Sequence, residues 1–273
     1  MKKLHYPGAW ALITGASSGL GAEFARQLAH RGSNLVISAR NQQRLQQFGD
    51  DLRRVNGVEV RAVAADLSTS DGITGLLNAV DDLKVPIRHL INNAGFGSVG
   101  AFADGDAEQE RRMLHVNVEA VVALSRHFLP RLLAVAEGGI IQVASTVAHQ
   151  PTPFMATYGA SKAFVLNFAL ALSEEVRGSG VRVLTLCPGP VPTGFQAAAG
   201  FETTGLMRLT KLEASEVVER ALAAYEDGKR IVTPGVLNAA QTRAVKVLPE
   251  PVVLRAARWA MQSLGRTTRR NSE

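Results

Sequence analysis

The sequence predicts an α/β fold in which a doubly wound parallel sheet carries helices on both faces of a single domain. Short apolar runs typical of buried strands alternate along the chain with stretches of helical periodicity. A glycine-rich turn follows directly after the first of these runs. Repeated strand–helix units favour a parallel sheet, and 273 residues with 46% hydrophobic content are enough for one large core.

The predicted elements alternate from the N-terminus onwards. Strands are predicted at residues 9–13, 34–38, 58–64, 87–92, 139–145 and 181–187, and helical stretches at 20–31, 72–83 and 118–135. The carboxyl ends of parallel strands meet at one edge of the sheet, which is where open α/β sheets bind ligands. We therefore expect Gly15, Arg40, Asn92, Ser145 and Pro188 to lie close together at that edge.

The turn after the first strand has the pattern of a phosphate-binding loop. Its glycines permit a tight bend and a close approach of the backbone, and the next helix offers free N–H groups at its N-terminus. The spacing is G-x-x-x-G-x-G and not the commoner G-x-G-x-x-G. A Rossmann-type dinucleotide site is predicted here, formed by Gly15, Ser17, Ser18, Gly19, Leu20 and Gly21.

A tyrosine and a lysine four residues apart form the candidate catalytic pair. On a helix, Tyr158 and Lys162 lie one above the other, so we expect the ammonium group to sit beside the phenol and to lower its pKa. Such a tyrosine can exchange a proton with a carbonyl oxygen. Ser145, thirteen residues before Tyr158 at the end of a predicted strand, is expected to hold the same oxygen.

Several motifs in the same order resemble those of the short-chain dehydrogenase/reductase family, over residues 9 to about 192. They are the glycine turn, the sequence Asn92-Asn93-Ala94-Gly95, and the Tyr158–Lys162 pair with Ser145. The resemblance implies that Asn117 supports a proton relay to the lysine. It also implies cofactor contacts by Asp66, Leu67, Asn93, Ala94, Gly95, Tyr158, Lys162, Pro188, Gly189, Val191 and Thr193. Arg88 and His89 depart from the family, which often has an acidic residue there.

The residues after the second strand favour NADP(H) as the cofactor. NAD binders usually place an acidic residue about 20 residues past the glycine turn, whereas an arginine accommodates the 2′-phosphate of NADP. The chain has no acidic residue between Glu23 and Asp50, and its second strand ends at Ser38 and is followed by Arg40. Arg40 is expected to bind the phosphate through charge-assisted hydrogen bonds, with Ser38 as a hydroxyl donor.

Three alternatives remain open at this point. Residues 15–19 also match the G-x-S-x-G elbow of hydrolases, although only fourteen residues precede Gly15 and His149 is the only histidine placed far enough along for a triad. The second alternative is an NAD-dependent alcohol dehydrogenase of the same family. The third is a non-catalytic sensor or scaffold that binds the cofactor without turnover.

Composition limits the cellular compartment and the kinds of ligand that we expect for the protein. The single cysteine, Cys187, excludes an intramolecular disulfide and is typical of a reducing, cytoplasmic compartment, and we expect it to be a small core residue. No apolar run reaches the length of about 18 residues that a membrane span needs. The histidines lack metal-ligand spacing, so no metal site is expected.

The C-terminal segment differs in charge from the rest of the chain. Residues 237–273 carry seven basic and two acidic residues, so +5 of the net charge of +6 lies there. We therefore divide the chain into a reductase domain at 1–236 and a basic helical extension at 237–273. An apolar stripe of Val253, Ala257, Ala260 and Leu264 is predicted to pack on the body, with peripheral contact to a membrane as the alternative. The basic residues lack a nucleic-acid motif, so no such partner is expected.

The substrate is predicted only as a class. Residues 190–212 are rich in Ala, Phe, Leu and Met and are expected to form a lid, with Phe96, Phe154, Met155 and Phe195 as candidates for an apolar pocket wall. This composition favours a hydrophobic ketone, aldehyde or 3-oxoacyl group, interconverted with its alcohol. The family resemblance further implies a homodimer or homotetramer built on the helices at 118–135 and 158–176.

Overall fold

The computed structural model describes residues 4–192, 194 and 210–270, and it describes side chains as far as residue 261. Its centre is a parallel sheet of seven strands in the order β3-β2-β1-β4-β5-β6-β7. The strands are β1 (Trp10–Thr14), β2 (Asn34–Ala39), β3 (Val60–Ala64), β4 (Ile87–Asn92), β5 (Gly139–Val143), β6 (Arg182–Leu186) and β7 (Ile231–Val232). The predicted doubly wound parallel sheet is confirmed. The two-residue strand β7 was not predicted.

Helices cover both faces of the sheet. They are α1 (Gly19–His30), α2 (Gln42–Asn56), α3 (Ser70–Asp82), α4 (Ala107–Leu114), α5 (Ala120–Val135), α6 (Ala156–Glu175), α7 (Ala214–Glu226), α8 (Val236–Ala244) and α9 (Glu250–Arg270). A π-helical segment, His115–Glu119, joins α4 to α5. Short 3₁₀ turns occur at Phe102–Asp104 and Thr146–His149.

The central strands form because both of their faces are covered. Every residue of β1, β5 and β6 is buried, which explains why these segments are mostly apolar and do not alternate between apolar and polar residues. One core cluster packs α1 and α7 against one face of the sheet, and a second packs α3, α5 and α6 against the other. Strand order reverses between β1 and its neighbour β4, which creates a crevice at the carboxyl edge.

Burial accounts for His89, one of the two residues of β4 that depart from the family pattern. His89 lies on β4, is 2% exposed and contacts Tyr225 of α7 through a 3.1 Å hydrogen bond at Nδ1. Burial lowers the pKa of His89 to about 4, so the ring is neutral at neutral pH. A neutral ring occupies the position where the family often has an acid, and it adds no charge near the site.

The C-terminal helices pack against the domain and do not extend away from it. Val253 and Ala257 of α9 are buried, as predicted, while Arg255 and Arg258 are exposed. The third buried residue of this face is Met261, and Ala260 is only partly buried; Leu264 lies beyond the described side chains. Within the described residues, no helix is long and apolar enough to cross a membrane.

Candidate active site

One cavity of about 390 Å³ lies at the carboxyl edge of the sheet, over the crevice between β1 and β4. Most of the predicted site residues line it. They are Gly15, Ser17, Ser18, Gly19, Leu20, Ser38, Arg40, Asp66, Leu67, Asn93, Ala94, Gly95, Ser145, Tyr158, Lys162, Pro188, Gly189 and Val191. Gly21 and Asn117 are not among the lining residues, and Thr193 lies outside the described residues.

The glycine turn is held tightly against the loop that follows β4. A Cβ atom on Gly15 would lie 2.9 Å from the Cα atom of Ala94, and one on Gly21 would lie 2.3 Å from the carbonyl oxygen of Gly15. Gly15 also has a φ of +65°, a conformation that favours glycine. Asn93 donates through Nδ2 to the carbonyl of Thr14 at 2.8 Å. Gly21 therefore allows the close packing of the turn without lining the cavity, and the turn's backbone remains open towards the cavity.

The serines of the turn are available to a ligand. Ser18 precedes α1 at its N-cap position, yet its side chain makes no capping hydrogen bond. Both Ser17 and Ser18 line the cavity at the positive end of that helix, which is the arrangement that binds phosphate groups. None of the described residues that line the cavity is a histidine, so Ser17 has no base of the kind that a hydrolase triad needs.

The end of β2 forms the second polar part of the cavity. Ser38 is 1% exposed, and its hydroxyl has no hydrogen-bond partner although it lies in the cavity wall. A buried hydroxyl without a partner costs free energy unless a ligand satisfies it. Arg40 is exposed at the same end, and its charge adds to the hydrogen bonds from Ser68 that hold the pKa of Asp66 below its ordinary value against the opposing effect of burial. The positive charge of Arg40 and the unsatisfied hydroxyl suit an anionic group of a bound ligand.

Tyr158 lies near the opposite end of the cavity, and its pKa is raised where a lowered value was expected. Burial raises the pKa of Tyr158 to about 12, and the hydrogen bond with Ser145 only partly offsets this effect. The Lys162 ammonium nitrogen lies 5.9 Å from the centre of the Tyr158 ring and donates to the carbonyl of Val143 at 2.8 Å. The ammonium group is thus directed to the backbone of β5, and burial outweighs its charge.

Lys162 is itself buried beside the cavity. Burial lowers its pKa to about 8, against an ordinary value of 10.5. A Cβ atom on Gly95 would lie 3.1 Å from the Lys162 nitrogen, so only glycine leaves this approach open. Because the lysine lines the cavity between the phosphate-binding turn and Tyr158, it can contact the sugar of a bound dinucleotide.

Asn117 supports the site from within the π-helical segment. Its side chain accepts a hydrogen bond from the backbone N–H of Phe96 at 3.1 Å and donates to the carbonyl of Phe96 at 3.0 Å. It also donates to Ser161, whose hydroxyl donates to the carbonyl of Tyr158 at 2.7 Å. Asn117 therefore connects the loop after β4 with helix α6, which carries Tyr158 and Lys162. The carbonyl of Asn117 remains a prediction as a relay group.

The end of the cavity around Tyr158 is apolar. Phe96, Val147, Met155 and Met261 line it, and Met113 packs behind them in the same cluster. Phe154 belongs to this cluster without lining the cavity, and Phe195 lies outside the described residues. Met261 was not predicted, because the helical stripe that the sequence suggested passed through Ala260 and Leu264. A stripe with a spacing of four residues from Val253 and Ala257 leads to Met261.

The loop after β6 is fixed by the C-terminal region. Pro188, Gly189 and Val191 line the cavity, and a Cβ atom on Gly189 would lie 2.5 Å from the Asn238 side chain of α8. Asn238 is buried and donates to the carbonyls of Thr210 and Pro234, both at 3.0 Å. The helices after residue 235 thus hold one wall of the site in place.

Comparison with known proteins identifies the family. The short chain dehydrogenase model matches residues 9–202. An uncharacterized oxidoreductase of Staphylococcus epidermidis is 32% identical over 214 residues, which cover 78% of this chain and 89% of that protein.

Solved structures agree in fold and differ in their bound cofactors. A short-chain dehydrogenase from Sphingobium yanoikuyae in complex with NADPH is 32% identical, with a TM-score of 0.79 over 93% of this chain and 95% of its own. One from Burkholderia phymatum in complex with NAD is 28% identical, with a TM-score of 0.78 over 88% and 93% of the two chains. The chain therefore belongs to the short-chain dehydrogenase/reductase family of oxidoreductases that bind a nicotinamide dinucleotide.

Proposed function

We propose that the protein is an NADP(H)-dependent carbonyl reductase or alcohol dehydrogenase that acts on a hydrophobic ketone, aldehyde or 3-oxoacyl group. The observation that carries this proposal is a single cavity with two different ends. Ser38 and Arg40 lie at one end, and Ser145, Tyr158 and Lys162 lie near the other. The glycine turn after β1 lines the cavity between these two ends.

The residues around Tyr158 suit the protonation of a carbonyl oxygen. The nicotinamide, when bound, supplies or accepts the hydride. Ser145 and Tyr158 hold the substrate oxygen by hydrogen bonds, and Tyr158 gives it a proton. A pKa of about 12 keeps Tyr158 protonated at neutral pH, which suits reduction. Lys162 and Ser145 then stabilise the phenolate that remains.

The phosphate end favours NADP(H) over NAD. Arg40 offers a planar guanidinium group that binds phosphate in a bidentate manner, and the Ser38 hydroxyl supplies a further hydrogen bond. An NAD ribose would leave the Ser38 hydroxyl without this partner. NAD binding remains the alternative, because a similar structure was solved with NAD.

Fluorescence titration with NADPH and NADH tests the cofactor preference. Hydrogen bonds to charged groups contribute roughly 1.5–3 kcal/mol, so Arg40→Ala is expected to weaken NADPH binding about 10- to 100-fold. NADH binding should change little. Arg54→Ala, at the far end of α2, is the matched control and should leave both affinities unchanged. Tighter binding of NADH than of NADPH by the unaltered protein would overturn the NADP(H) assignment.

The substrate class follows from the lining of the Tyr158 end. Among the described lining residues, the charged ones are Arg40, Asp66 and Lys162, and the first two lie at the phosphate end. The wall near Tyr158 therefore suits an apolar carbonyl compound, which has little bound water to lose on entering the site. NADPH-dependent reduction of hydrophobic ketones, aldehydes and 3-oxoacyl thioesters measures this directly. Tight cofactor binding without turnover on the entire panel would favour the non-catalytic sensor.

The exposed faces of α5 and α6 support a homodimer or homotetramer. Val122, Leu133 and Val135 on α5 and Phe164 on α6 are exposed apolar side chains. Phe164 stacks on Phe168 with ring centres 5.8 Å apart, which gives a flat aromatic surface. Sedimentation velocity at micromolar concentration should show an oligomer that Phe164→Asp weakens. A monomer under these conditions would contradict this assembly.

A further inference from the structure

The inner face of helix α9 reaches the reacting end of the cavity. Met261 is 8% exposed, lines the cavity and packs in one cluster with Met113, Met155 and Tyr158. Helix α9 lies about a hundred residues after the catalytic helix in the chain. It nevertheless supplies a side chain to the same apolar wall.

The composition of this wall is unusual. The chain has five methionines, and the three with described side chains all belong to the cluster around Tyr158. Methionine is unbranched and polarizable, so its side chain adapts to ligands of different shape more readily than leucine or phenylalanine does. Two of the three, Met155 and Met261, face the cavity itself.

We propose that Met261 determines the size of the apolar group that the site accepts beside the carbonyl. This inference rests on the proposed reductase function. Met261 lines the cavity in the same apolar cluster as Tyr158, so its volume limits the space for the group attached to the carbonyl. Met155 provides the neighbouring adaptable surface.

A series of cyclic ketones from one ring to four fused rings tests this assignment with NADPH as the reductant. Met261→Ala is expected to raise the ratio of kcat/KM for the largest ketone over that for the smallest by about 10-fold or more, because one or two methylene groups in an apolar pocket have this effect. Met261→Trp should lower the same ratio. Met261→Leu should keep it near the unaltered value.

The ratio separates a specificity role from a structural one. A loss of folded protein lowers both rates equally and leaves the ratio unchanged. Trp259→Ala, on the exposed side of the same helix, is the matched control and should not alter the ratio. An unchanged ratio in both Met261→Ala and Met261→Trp, with the unaltered enzyme active, would overturn the inference alone. Inactivity of the unaltered enzyme on every ketone would overturn the reductase function and the inference with it.

The outer face of α9 carries a second, independent feature. Val252 and Trp259 are 49% and 76% exposed, and Ala256 between them is also exposed. Their spacing of four and three residues places them on one side of the helix, away from Val253 and Ala257. Helix α9 is therefore apolar on two sides, and only one of them packs against the described body.

Exposed basic residues occur on α9 and in the segment that precedes it. The turn before α9 exposes Val247 and Leu248 as well. The basic residues are Arg243, Lys246, Arg255 and Arg258, all exposed, and Glu250 is the only acidic residue in the chain between positions 236 and 261. A helix face of this kind, with tryptophan and aliphatic residues beside arginines, is typical of helices that lie in the interface of an anionic bilayer. We infer that this surface docks on anionic lipid headgroups.

Vesicle binding tests the lipid surface. Vesicles of phosphatidylcholine with phosphatidylglycerol should sediment the protein, while pure phosphatidylcholine vesicles should not, and high salt should release it. Trp10 is buried, so a blue shift of tryptophan emission on binding would report Trp259. Trp259→Ser should weaken binding at least several-fold. Val55→Ser, an equally exposed position on α2, is the matched control.

Two results would overturn the lipid assignment. One is the absence of sedimentation with anionic vesicles, or equal binding to both kinds of vesicle. The other is a concentration-dependent dimer without lipid that Trp259→Ser disrupts, because a second copy of the chain would then cover this face.

Discussion

The three tyrosines of the chain occupy two contrasting regions. Tyr158 lies beside Ser145 and Lys162 and opens into the cavity. Tyr6 and Tyr225 pack around His89 on the other side of the sheet, with ring centres of Tyr6 and His89 5.2 Å apart. All three are buried, and burial raises the pKa of each.

The comparison shows that burial and a raised pKa do not identify a catalytic tyrosine. Tyr225 shares both properties with Tyr158, yet its hydroxyl is bonded to His89 inside the core. What distinguishes Tyr158 is access to a cavity, its hydrogen bond with Ser145 and the Lys162 ammonium nitrogen 5.9 Å from its ring centre. The two regions should therefore respond differently to the same chemical change.

The largest expected effect is the replacement of Lys162 by methionine. Turnover should fall at least about 100-fold, because the phenolate and the cofactor ribose lose their cationic partner. The free energy of unfolding at pH 7 should instead rise by about 2 kcal/mol, because the cost of burying the charged lysine, about 3 kcal/mol from its lowered pKa, exceeds the loss of its hydrogen bond to the carbonyl of Val143. Chemical denaturation and steady-state kinetics on the same preparation measure both changes.

The pH dependence of this stabilisation follows from the lowered pKa. Below pH 8 the lysine is charged in both the folded and the unfolded chain, so the cost of burial is fully present. Between pH 8 and 10.5 the folded protein loses the proton first, and the cost disappears. The advantage of Lys162→Met should therefore shrink over this range. Lys229→Met, at an exposed ion pair, is the control.

The next effect concerns the region of Tyr6, His89 and Tyr225 at acid pH. The pKa of His89 is lowered from 6.5 to about 4, so the unfolded chain binds a proton before the folded one does. Stability should fall by about 3 kcal/mol as the pH drops from 6.5 to 4. His89→Gln should remove this part of the slope, whereas His30→Gln on the surface should not. A slope unchanged by His89→Gln would show that other groups control acid unfolding.

The smallest expected effect is on stability in Tyr225→Phe. This change leaves the Nδ1 atom of the buried His89 without its 3.1 Å partner, which should cost about 1–3 kcal/mol. Activity should stay near that of the unaltered enzyme, since Tyr225 is not among the residues that line the cavity. Urea denaturation measures the loss of stability. A reduced kcat under conditions in which the variant is fully folded would show that the region around His89 influences the site around Tyr158.

Much of the cavity lining was predictable because local sequence groups its residues. Gly15 and Gly19 belong to one turn, Ser38 and Arg40 to one strand end, and Tyr158 and Lys162 to one helix. Each of these contacts follows from spacing over a few residues. The parallel sheet with helices on both faces, and the gathering of site residues at its carboxyl edge, follow from the alternation of strands and helices.

The other features depend on contacts between distant parts of the chain. Tyr225 and His89 are 136 residues apart in sequence, and nothing in either segment indicates their hydrogen bond. Met261 was missed because the stripe of α9 was assigned with Ala260 in its place. The pKa of Tyr158 was expected to fall, since spacing on a helix reveals the lysine but not the depth of burial. Packing decides all three.

The most direct test of the account is the turnover of Tyr158→Phe beside that of Tyr225→Phe, with NADPH and a hydrophobic ketone. The account predicts that Tyr158→Phe lowers kcat by about 10²- to 10⁴-fold while the affinity for NADPH stays within about twofold. Tyr225→Phe should keep nearly full activity. Retained turnover in Tyr158→Phe would remove this residue from the chemistry and contradict the proposed mechanism.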